Sequence, residues 1–80
     1  MDETLEKQIV NFVQEIREMD LKKVPAVSET LDWAKALILL NVNNLESNIV
    51  RSTLNVLLKF QDDIEYIESE IPTLIRSVVR

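Results

Sequence analysis

The sequence predicts an all-α fold, a small bundle of four to five helices, on three observations. Apolar residues recur at steps of three and four along nearly the whole chain. Two-residue alternation never lasts long enough for a half-buried strand. The 80 residues contain no Gly, so the tight hairpin turns that join strands lack their usual residue.

The first helix is expected from about Glu3 to Met19. Leu5, Ile9, Phe12, Val13, Ile16 and Met19 form a one-sided stripe. Asp2, Glu3 and Glu6 suit the positive end of the helix dipole, and Lys7, Glu15, Arg17 and Glu18 lie off the stripe. The segment from Asp20 to Pro25 is the expected break, because Pro25 cannot continue a helix and pushes Val24 towards extended backbone.

Pro25 suits a first helical position and Ser28 suits an N-cap, so the second helix is expected to start between residues 25 and 29. Val27, Leu31, Ala34, Leu37, Ile38 and Val42 make one stripe, and Trp33, Ala36 and Leu40 widen it until polar cover is thin. Such a helix is expected at the centre of a bundle, with Trp33 filling the core or its margin. Asn41, Asn43 and Asn44 then act as a stop signal, since Asn takes the left-handed conformation best when Gly is absent.

A third helix is expected from Glu46 to about Phe60, with Ile49, Val50, Thr53, Leu54, Leu57 and Leu58 inward and Arg51 outward. The chain from Lys59 to Asp63 holds no breaker, so this helix is free to run on into the next. Ile64, Ile67, Ile71, Leu74, Ile75 and Val78 keep helical spacing, but Pro72 interrupts them. The expectation is a helix from Asp62 to Ser69, a kink or short turn, and a last helix from Thr73 to Val79.

Composition narrows the chemistry. With no Gly, His or Cys, the chain lacks the residues of a phosphate-binding loop, an EF-hand loop, a zinc finger, a thiol nucleophile or a His-based triad. Catalysis by this chain alone is not expected, nor is a bound metal. Asp62, Asp63, Glu65, Glu68 and Glu70 lie in nine residues without a base; the other nine acids balance the nine bases. That run reads as a solvated helix face. An acidic chain without a basic stripe points away from nucleic acid. The longest apolar run, Ala36 to Leu40, is far short of the ~20 residues that span a bilayer. Together with the lack of Cys and of a leader-like start, this sets the expectation of a cytoplasmic, single-domain chain with no membrane partner. Lys22 and Lys23, just before a helix N-terminus, are candidates for contact with an anion such as nucleotide phosphate.

Three strings carry a resemblance. The run from Leu21 to Leu37 contains a basic pair, a proline and Glu29-Thr30-Leu31-Asp32-Trp33-Ala34. The run from Leu45 to Phe60 contains Thr53-Leu54-Asn55-Val56-Leu57-Leu58-Lys59, and Gln61-Asp62-Asp63-Ile64-Glu65 follows it. In this order, over just over half the chain, they resemble the C-terminal helical lid of MoxR-type AAA+ ATPases. The resemblance implies an excised lid whose α/β core lies upstream and carries the ATP and magnesium site. The lid would close that site and pack on neighbouring subunits of a ring, in chaperone-like ATPases that mature or assemble partner proteins or metal centres. The fragment would bind no cofactor by itself. Lys22, Lys23 and Ser28 would lie nearest the nucleotide, and Trp33, Asp32 and Arg51 would serve packing or interfaces, Asp32 through a structural hydrogen bond. The arginine that many relatives place at the start of this lid helix is absent, Val27-Ser28-Glu29 standing there instead. The resemblance covers the tail after Tyr66 not at all. The alternative expectation is a free-standing helical interaction module, either monomeric or homodimeric, with an apolar patch around Trp33 or the tail from Ile71 to Val79.

Overall fold

The computed structural model describes residues 3–79, and these form four helices with no strand among them: α1 Glu3–Arg17, α2 Val27–Leu39, α3 Ser47–Leu57 and α4 Gln61–Val78. Neighbours in sequence are neighbours in space. α2 packs on α3, α3 on α4 and α4 on α1, and α2 closes the ring with a lighter contact to α1. The core at the centre takes Leu5, Ile9, Phe12 and Ile16 from α1, Trp33 and Leu37 from α2, Val50, Leu54 and Leu57 from α3, and Ile67, Ile71 and Leu74 from α4.

α1 follows its stripe but ends two residues early. The amides of Glu18 and Met19 reach back only three residues, to the carbonyls of Glu15 and Ile16, so the last turn tightens before the loop. α2 starts after Pro25, with Ala26 rather than Ser28 at the N-cap. Glu29 Oε1 accepts the Ala26 amide at 2.9 Å, which is half of a capping box; Ala26 has no side-chain oxygen to return the other half. Ser28 Oγ instead donates to Glu29 Oε2 at 3.0 Å.

At the other end of α2 the Asn stop signal acts as expected: the helix closes at Leu39, with Leu40 as its C-cap and Asn41 next. Asn41 takes φ 57°, the left-handed region usually left to Gly. The amide of Val42 bonds to the Leu37 carbonyl and that of Asn41 to the Ile38 carbonyl, the paired bonds of a Schellman cap.

The expected stripe of α2 holds for Ala34 and Leu37, and Trp33 fills the core as expected, but Val27, Leu31 and Ile38 fall outside it. Trp33, Ala34 and Leu37 face inward, whereas Val27 is 71% and Leu31 55% exposed. A helix apolar almost all round has no unique phase by period alone. The indole decides: it is the largest side chain, and its N–H needs a partner once buried. Trp33 Nε1 donates to Thr53 Oγ1 at 2.8 Å, and Thr53 Oγ1 donates to the Ile49 carbonyl at 2.8 Å. The Phe12 and Trp33 rings lie 5.2 Å apart. α2 is therefore a wall of the bundle, not its centre.

α3 does not run into α4. Leu58 and Phe60 are extended, which lets the adjacent Leu57 and Leu58 both reach the core. α4 then continues through Pro72 as one helix, so the expected turn does not split it and the count is four, within the four to five expected. Pro72 deletes only the bond to the Glu68 carbonyl and stands on the exposed side, while Ile71 and Leu74 are buried on either side of it. The tail is thus core-forming. Neither Trp33 nor the segment from Ile71 to Val79 offers the exposed patch expected of an interaction module.

Candidate functional site

The loop from Glu18 to Ala26 carries the two lysines marked by the sequence, and its shape is set from the far end of the chain. Asp63, on the first turn of α4, is only 3% exposed. Its carboxylate accepts the backbone amides of Lys22 at 2.8 Å and Lys23 at 3.1 Å. Two successive N–H groups converging on one carboxylate make a small anion-binding nest, filled here from within. Asp63 is thus not part of a solvated face, as the acidic run suggested.

The side chains reinforce the same junction. Lys22 Nζ lies 2.5 Å from Asp62 Oδ2, both side chains being largely exposed. The hydrogen bond from Lys22, and then its charge, hold the Asp62 carboxyl below its ordinary range; the same bond and charge raise the Lys22 ammonium. Across the loop, Glu29 is lowered first by the Ala26 amide and then by the Ser28 hydroxyl, with Lys23 and Lys59 near enough for their charges to add to this. Arg17 closes the loop from the other side by donating to the Pro25 carbonyl at 2.9 Å.

Lys22, Lys23 and Ser28 therefore lie around one exposed junction between the start of α2 and the start of α4. The ammonium of Lys22 is committed to Asp62, whereas Lys23 bonds only through its backbone. Trp33 is internal. Asp32 is exposed and its side chain makes no hydrogen bond among the described residues, so the expected structural bond is not formed within them; Arg51 is exposed on the outer side of α3.

Sequence reasoning missed two buried polar residues that organise the loops. Asp63 shares a phase with Ile67, Ile71, Leu74 and Val78, so its core position was visible in the spacing. Gln8 sits between Leu5 and Phe12 at helical steps, and its Oε1 accepts the Leu45 amide at 2.8 Å while its Nε2 donates to Asn44 Oδ1 at 3.3 Å. It fixes the loop after α2 as Asp63 fixes the loop before it.

No group of three or more acidic side chains is placed to hold a metal ion among the described residues. No described helix is long and apolar enough to cross a membrane. A hollow of about 530 Å³ lies between α1 and α2, lined by Val10, Val13, Gln14, Arg17, Val27 and Leu31 among others; it is open and mostly apolar, without converging acid and base groups. Comparison with family models, with curated proteins and with solved structures returns no match.

Proposed function

We propose that this chain is the helical lid of a MoxR-type AAA+ ATPase, acting through closure of a nucleotide site and through packing between subunits rather than through catalysis of its own. One observation carries the reading beyond the resemblance itself. The three resembling strings hold one another in place: Lys22 and Lys23 of the first are gripped by Asp63 of the third, and Trp33 of the first bonds to Thr53 of the second. Residues of these types at these positions have a shared reason to occur together.

On this reading the junction of α2 and α4 faces the nucleotide. Lys22 is already neutralised by Asp62, so of the two loop lysines it is Lys23 that is left to approach a phosphate. As an ammonium it supplies charge without the planar fork of the missing arginine.

Extending the reading frame upstream of Met1 tests the proposal. A Gly-rich loop ending in Gly-Lys-Ser/Thr is expected there; a stop codon directly before Met1 overturns it. In the full-length protein Lys23→Ala is expected to weaken nucleotide binding and Lys22→Ala to affect it less. Unchanged affinity and turnover in both variants would remove these lysines from the site.

A further inference from the structure

The α1–α2 face has an apolar floor and charged ends. Helical phase puts Glu3, Glu6, Val10, Val13 and Arg17 on one stripe of α1, and Val10, Val13 and Arg17 line the hollow against α2. On α2 the stripe is Val27, Leu31, Ala34 and Ile38, spaced 4, 3, 4 in the manner of a coiled-coil seam. Val10 is 50%, Leu31 55% and Ile38 44% exposed.

The two helices run in opposite directions. Arg17 at the end of α1 bonds to Pro25 just before α2, and Gln8 in the first half of α1 bonds to Leu45 beyond the end of α2. The face therefore has a basic end at Arg17 and an acidic end at Glu3 and Glu6, with Val10 midway.

We propose that this face pairs with a second copy of the chain about a two-fold axis near Val10. A two-fold contact is self-complementary by construction. Here it sets the Arg17 end of one copy against the Glu3–Glu6 end of the other and brings the two apolar floors together. Like charges meet at neither end. The acidic run lies on the first half of α4, which packs on α1 but not on α2, so the excess negative charge sits off the face on the far side of α1. Two helices about 20 Å long lying side by side present a face on the order of 400 Å², which suits a weak, reversible dimer rather than an obligate one. The pairing does not depend on the lid reading.

Sedimentation velocity on the 80-residue chain, from micromolar to millimolar concentration, tests it, with circular dichroism confirming that each variant is folded. The expected result is a concentration-dependent shift from monomer to dimer. Leu31→Glu should abolish the shift, whereas Leu39→Glu, at a still more exposed leucine off this face, should leave it unchanged. Glu6→Arg or Arg17→Glu alone should weaken dimerisation about fivefold, and the double exchange should restore it. A monomer at every concentration overturns the proposal and leaves the face to another partner. So does a dimer indifferent to Leu31→Glu, and failure of the double exchange to restore pairing overturns the antiparallel arrangement.

Discussion

Asp63 holds two amides that have no other acceptor, and it does so from 40 and 41 residues away in sequence. Removing a charged acceptor from a buried position strands its donors, and the loss is larger than that of a neutral hydrogen bond. Asp63→Ala is expected to cost about 3 kcal/mol in urea unfolding. Asp62→Ala, one residue along, should cost far less, because it breaks only an exposed ion pair. Equal losses would mean that the acidic run acts by total charge and not through the loop bond. The contrast also explains why Asp63 was hard to see in the sequence. Its neighbours are acidic and solvated, and composition averages over the one member whose phase points inward.

At the scale of the element, period and punctuation made most of the fold legible. The stripe of α1, the break before Pro25 and the Asn signal after α2 each correspond to a structural event. What failed did so where a local rule met a larger constraint. Pro72 breaks a helix in isolation, but α4 is held on both sides of it by buried Ile71 and Leu74, and packing outweighs one lost bond. Because Pro72 is exposed, Pro72→Ala touches no core contact and restores the missing amide. It is expected to stabilise the chain by about 2 kcal/mol, the helix gain of ~3 less the added freedom of the unfolded chain. A destabilised variant would mean that the proline ring itself makes a contact on which the helix depends. The stripe of α2 failed in part for another reason: where almost every position is apolar, only the partner of the Trp33 indole selects a face.

For the whole molecule, the candidate site was less legible than the fold. Lys22 and Lys23 could be marked from their place before a helix, but nothing near them announces that their amides are already filled by Asp63. That bond depends on how the ring of helices closes. Trp33 reports on the same closure, because it lies between Phe12 of α1 and Thr53 of α3. Its emission should be that of a fully buried indole. In denaturant the fluorescence midpoint should coincide with the loss of helical circular dichroism, as for a single cooperative unit. Separate midpoints would show that α2 opens before the rest.

The contact of α4 with α1 has a consequence for how this unit can be joined to others. Ser77 Oγ donates to Glu15 Oε1 at 2.8 Å, and Val78 shares a surface hollow with Thr4. The bond to Glu15 sets the end of α4 along the second half of α1, and the hollow brings Val78 to the same side of the molecule as Thr4 in the first turn. A domain with that property can be hosted inside a loop of another protein with short connections, because insertion barely separates the host's two cut ends.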